Sequence, residues 1–143
     1  MTTPAPCRFT VRGVPKPSPR PRARAMQTKQ GHHIAQVYAG KTDKDWKGLV
    51  AAAAREAWGD RPVEMGPVHL HVEFIFLRPK SVSVKKRPKH TVKPDLDNLI
   101  KSVQDALNGL VWRDDAQVVR CRSYKDYAAE MEFPGAVVQV TFL

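Results

Sequence analysis

Negative charge is scarce in this chain, and it is missing altogether from the first part of it. Residues 1–40 contain no Asp or Glu, and the whole sequence sets 14 acidic residues against 24 Lys and Arg. A neutral surface is thereby excluded, and the formal charge is +10. That balance is the electrostatic footprint of a nucleic-acid binder, although charge alone also serves solubility or an anionic membrane surface. Cysteine is scarce too: Cys7 and Cys121 form no CxxC pair and no metal spacing with histidine, which argues against a disulfide framework or a zinc ribbon. The Thr/Pro/Ala-rich start does not read as a secretory signal, so reduced thiols in a cytoplasmic protein are expected. No apolar run approaches the roughly 18 residues of a membrane span. There is no Gly-rich phosphate loop, no internal repeat and no sign of a second domain.

What is present fits one globular domain: the chain has 143 residues, 42% of them hydrophobic. Phe9 to Val14 alternates apolar and polar side chains and predicts a first strand. Pro15-Lys16-Pro17-Ser18-Pro19-Arg20-Pro21-Arg22 excludes helix and central strand, because each proline removes a donor and fixes φ. Residues 15–33 are thus expected as a flexible, cation-bearing loop, followed by a short second strand, His33–Tyr38. Thr42 to Asp45 resembles a capping box with Thr42 as N-cap, and Trp46, Leu49, Val50, Ala53, Ala54 and Ala57 recur at helical spacing up to Gly59. Val68 to Leu77 alternates strongly and predicts a strand. His69, His71 and Glu73 share one face of it, which reads more simply as a polar or partner-covered face than as a metal site. A second acid-free basic tract follows, with Arg78, Lys80, Lys85, Lys86, Arg87, Lys89 and Lys93; residues 79–93 are expected as a second flexible loop. A helix over 96–109, a strand over 117–125, a turn over 130–135 and a final strand over 136–142 complete the chain.

The scarce acids are concentrated. Asp95, Asp97, Asp105, Asp114 and Asp115 are five of the fourteen, with only Lys101 and Arg113 as basic neighbours. Clustered carboxylates repel one another and call for a cation; within a basic protein this is the pattern of an enzyme that holds a polyanion and cuts it with a hard metal ion. On a helical wheel Leu96, Leu99, Ile100, Val103, Ala106, Leu107 and Leu110 form a buried stripe, and Asp97, Lys101, Asp105 and Asn108 form a polar one. Lys101 lies one turn from Asp97, about 6 Å along the axis. Asp95, behind Pro94, sits in the N-cap region, where capping alone would explain one aspartate but not two. Asp114-Asp115 alone would be a turn signal. In an extended segment only one of that pair faces a given site, and spacing does not choose between them.

Pro94-Asp95-Leu96-Asp97-Asn98-Leu99-Ile100-Lys101 and Val111-Trp112-Arg113-Asp114-Asp115-Ala116-Gln117-Val118-Val119 resemble the core of the RusA family of Holliday junction resolvases, crossover junction endodeoxyribonucleases of bacteria and their prophages. The resemblance is close over 93–125 and looser elsewhere. It implies a homodimer of an α/β (α+β) domain, a mixed sheet with two main helices packed on it. It also implies Mg²⁺-dependent paired nicking of four-way junctions in DNA recombination and repair, with Mn²⁺ as a substitute. The family's metal-binding aspartates fall on Asp95, Asp97 and Asp115, and its essential lysine on Lys101. Asp114, Asn98 and Asp105 are then supporting residues. Lys16, Arg20, Arg22, Arg24, Lys85, Lys86, Arg87, Lys89 and Lys93 are the expected DNA contacts, acting on phosphates rather than bases. Both basic segments look longer and more basic than in the shortest members of the family. A non-catalytic basic nucleic-acid-binding module is the alternative, with the aspartates serving as caps and turns. A small-substrate phosphatase fits the large cationic surface poorly.

Overall fold

The computed structural model describes residues 3–19 and 41–143. The expected strand at 33–38 and the arginines Arg20, Arg22 and Arg24 lie outside the described residues. In chain order the elements are β1 (Cys7–Arg12), α1 (Lys41–Trp58), β2 (Val68–Phe76), α2 (Leu96–Leu107), a short 3₁₀ turn (Asp115–Gln117), β3 (Val118–Tyr127) and β4 (Gly135–Phe142). The sheet order is β1-β4-β2-β3. β4 runs antiparallel to both β1 and β2, while β3 runs parallel to β2. The domain is therefore α+β, with a mixed four-stranded sheet and two helices.

Alternation sets the two faces of the sheet. Cys7, Phe9 and Val11 of β1, Val68, Leu70, Val72 and Phe74 of β2, and Ala136, Val138 and Val140 of β4 are buried in one cluster with both helices. α1 contributes Trp46, Val50, Ala54 and Trp58, and α2 contributes Leu99, Val103 and Leu107. Each such side chain is worth about 1.5–3 kcal/mol of burial, so the stripe on α2 holds the helix to the sheet while its polar stripe stays outside. Ser102 is the polar exception within the stripe. It is fully buried, donates to the Leu99 carbonyl and accepts the Trp46 indole N–H at 3.1 Å, so both hydroxyl functions are satisfied between the helices.

Helix boundaries differ slightly from the sequence expectation. α1 begins at Lys41, so Thr42 lies inside the helix rather than at its cap. α2 ends at Leu107, where Gly109 takes a φ of +82° and donates its N–H to the Trp112 carbonyl. At Gly135 a Cβ would collide with the Val11 carbonyl oxygen, which is why β4 can begin so close to β1.

Because β4 reverses direction twice, β1, β2 and β3 all run the same way. Their C-terminal ends, and the N-terminus of α2, gather at one end of the domain, the position where open sheets of α/β type commonly bind ligands.

Candidate active site

At that end the chain leaving β1 passes close to the start of α2. Val14, Pro15, Lys16 and Pro17 line an open groove together with Phe76, Lys93, Pro94, Asp95 and Asn98. A second, shallower groove is lined by His90, Thr91, Val92, Lys93, Asp95 and Lys125. Asp95 and Lys93 border both. The Lys125 ammonium donates to the Val92 carbonyl at 2.6 Å and the Pro94 carbonyl at 2.8 Å, which ties the segment before α2 to the edge strand. Ser18 docks the proline-rich segment on the helix: its N–H donates to the Asn98 carbonyl at 3.0 Å and its hydroxyl to Asp105 at 2.9 Å.

The expected site residues take up different positions. Asp95 is the residue before α2 but makes no side-chain cap; both of its oxygens accept from Lys93 Nζ at 2.9 Å. Capping therefore does not account for it. Asp97 is exposed in the first turn, where its Oδ1 accepts the Asn98 N–H. Lys101 reaches forward along the helix to Asp105, 3.6 Å away.

Asp105 carries more contacts than a supporting residue needs. It meets Lys47 of α1 at 3.3 Å as well as Ser18 and Lys101. Burial alone would push its carboxyl up, but the Ser18 hydroxyl, Lys47 and Lys101 together outweigh this and hold it below the usual range.

Asp115 is the opposite case. Burial pushes its carboxyl above the usual range; the Trp112 hydrogen bond opposes the rise, Asp105 and Asp114 add to it, and Lys101 opposes it. The fully buried Trp112 indole donates to Asp115 Oδ1 at 2.9 Å. Asp115 thus senses Lys101 and Asp105, and its charge is incompletely compensated within the protein.

Asp114 faces a different task. Its side chain accepts the Ala116 N–H and caps the 3₁₀ turn. Gln117 closes the turn from the other side. Its Oε1 accepts the Arg113 and Asp114 amides at 2.9 Å, and its Nε2 donates to the Glu64 and Gly66 carbonyls at 2.8 and 2.9 Å.

The start of α2 gathers Lys16, Lys93, Asp95 and Asn98 around its grooves, and Asp115, Lys101 and Asp105 form a second, electrostatically linked group. Among the described residues no three His, Cys, Asp or Glu side chains are grouped so as to hold a metal ion, and Asp95, Asp97 and Asp115 do not form one such group. The donor chemistry nevertheless suits a hard divalent cation, because all three offer carboxylate oxygens. Of the expected DNA contacts, Lys85, Lys86 and Lys89 are exposed. Arg87 instead turns inward to the Tyr127 hydroxyl at 3.3 Å. The loop is further held by Arg78, which stacks on Tyr127 and donates to the Arg87 carbonyl, and by His90, buried against Phe76 with ring centroids 4.3 Å apart.

Sequence reasoning missed Ser18, Lys47, Trp112, Gln117 and Lys125. Trp112 and Gln117 stand inside the motif that carries the aspartates, so the signal for them was present. Ser18, Lys47 and Lys125 come from three other elements, and nothing local marks them.

An α+β domain with exposed aspartates beside cation-lined grooves suits a phosphodiester-cleaving nuclease, and the comparisons with known proteins agree. The family model "Endodeoxyribonuclease RusA" matches residues 12–141. The chain belongs to this family of Holliday junction endonucleases, whose members are generally dependent on a divalent metal. It is also 36% identical over 132 residues to the uncharacterized protein YqaN of Bacillus subtilis, a match covering 86% of this chain and 89% of the relative.

Proposed function

We propose that this protein resolves four-way DNA junctions by paired, Mg²⁺-dependent nicking, acting as a homodimer whose two sites suit the pseudo-two-fold symmetry of the junction. The observation that carries the reading is exposed Asp95, which borders two grooves lined by Lys16, Lys93 and Lys125, with Asp97 exposed in the first turn of α2 beside it, in a chain that belongs to the RusA family. Asp95, Asp97 and Asp115 would hold the metal. When bound, the metal supplies an activated water and neutralises a non-bridging phosphate oxygen. The protein's own residues then do the rest. Trp112 fixes the rotamer of Asp115. Lys101, oriented by Asp105, presents an exposed ammonium to the charge that develops on the phosphate. Lys16, Lys85, Lys86, Lys89 and Lys93 hold the backbone without reading bases, as do Arg20, Arg22 and Arg24 in this proposal.

A second reading, a non-catalytic DNA-binding module, draws on the arrangement of Asp115 apart from Asp95 and Asp97. Nicking of a synthetic four-way junction and a matched linear duplex, with Mg²⁺, with Mn²⁺ and with chelator, decides between the two. Metal-dependent paired nicks confined to the junction are expected. Binding without nicking in either metal would leave only the module.

A further inference from the structure

The two helices cover one face of the sheet; on the other face strand pairing places arginines at both edges. In β1, Arg8 and Arg12 are exposed while Cys7, Phe9 and Val11 are buried. Across the sheet Arg8 pairs with Gln139, Gln139 with His71, and His71 with Arg122. Arg120 stands beside His69 in the same way. Residues paired across neighbouring strands share a face, so Arg8 and Arg12 line one edge, and Arg120 and Arg122 the other. Three strand spacings separate the edges, about 14 Å of backbone at about 4.8 Å per strand.

The acids on this face have partners. Glu73 bonds Tyr124, whose ring meets His71 edge-on at 5.9 Å, and Asp126 lies 3.5 Å from Lys89. Among the described residues none of the four guanidinium groups forms a salt bridge. The Lys89–Asp126 contact also brings the basic 78–93 loop to the rim of the same face. A positive track therefore runs from that loop, beside the candidate active site, over β3 to Arg122 and Arg120.

We propose that this helix-free face is a second DNA-binding surface, which takes the sugar-phosphate backbone of a duplex arm leaving the candidate site. The proposal rests on the reading of the chain as a junction endonuclease. Charge selects the occupant: a second copy of the chain would set arginine edges against arginine edges, whereas phosphate complements them. Contacts of this kind are independent of sequence.

The test is equilibrium binding of the full chain to a labelled four-way junction and to linear duplex, in chelator, from about 50 to 200 mM salt. Two variants address the two edges separately: Arg120→Gln with Arg122→Gln, and Arg8→Gln with Arg12→Gln. Each double variant should flatten the plot of log affinity against log salt by about 1.8 per protomer, about 3.6 for the bound dimer, at about 0.9 per lost phosphate contact. Arg120→Lys with Arg122→Lys, which keeps the charge, should keep the slope, and this separates lost contacts from lost structure. Unchanged slopes in both Gln variants overturn the proposal. So does conversion of a dimer to a monomer in sedimentation equilibrium with the slope unaltered, which assigns the face to a second copy. Because binding is read without metal, the two readings fail separately. A wild type that never nicks removes the nuclease, and slopes that flatten as expected still support the surface.

Discussion

Gln117 is where the architecture of the site can be tested most sharply. Its amide makes four hydrogen bonds, to the amides of Arg113 and Asp114 and to the carbonyls of Glu64 and Gly66. In Gln117→Ala all four are lost. A neutral hydrogen bond contributes about 0.5–1.5 kcal/mol net. The site is only partly buried, so water replaces some of the lost partners and the lower half of that range applies. The expected cost is about 2–4 kcal/mol, which for a domain of this size lowers Tm by roughly 6–12 °C. The turn it closes carries Asp115, so nicking should fall by more than the loss of folded protein explains. Gln117→Glu supplies the internal comparison: it retains acceptors for the Arg113 and Asp114 amides but sets a carboxylate against two carbonyls. It should therefore be at least as unstable as Gln117→Ala. Thermal melts of the three proteins, with junction nicking measured well below every Tm, complete the assay. A Gln117→Ala protein that melts within a degree of wild type and nicks at the wild-type rate would refute the account of this turn.

Asp97→Asn should abolish metal-dependent nicking while junction binding in chelator survives; retained cleavage on a denaturing gel would remove Asp97 from the site. Trp112→Phe keeps a ring in the core but deletes the donor to Asp115, a bond to a charged group worth about 1.5–3 kcal/mol. It should move the Mg²⁺ midpoint of nicking to higher concentration, and an unshifted titration would count against positioning. Burial, with Lys125 and Arg87 nearby, holds the His90 pKa below its usual value, so the unfolded chain takes up that proton first. The stability this confers is present above the unfolded pKa of about 6.5 and is lost as pH falls through the lower folded value. Between pH 7 and 5 the Tm of wild type should therefore fall more than that of His90→Phe, and parallel curves would contradict this.

The elements that bury a regular stripe were legible before any coordinates. Val68 to Phe76 alternates on a buried strand and Leu99, Val103 and Leu107 repeat on a buried helix, so period alone locates them. The helix start was harder, because Thr42 offers a good cap on paper while α1 already includes Lys41, and helix ends are the least certain part of a periodic pattern. The family and the run of aspartates were readable because motif and spacing are local. The partners of those aspartates were not. Asp105 was expected only to assist, yet besides Lys101, one turn away on its own helix, it collects Ser18 and Lys47 from two other segments, a convergence that only the fold creates. Arg87 read as one more cation in a basic loop, and nothing in that loop announces Tyr127, 40 residues on, as its partner.

β3 is an edge strand ten residues long, paired on one side by β2, and among the described residues no strand pairs with its other side. Such a rim of unpaired backbone is a template onto which a strand from another molecule can add. Arg120, Arg122 and Lys125 interrupt that rim at alternate or near-alternate positions, so a neighbouring chain meets repulsion before it meets free amides. Charges proposed to suit this edge to a polyanion would, by the same repulsion, disfavour polymerisation along it. Variants that replace these residues with apolar side chains should lose solubility at concentrations where the wild type remains dispersed.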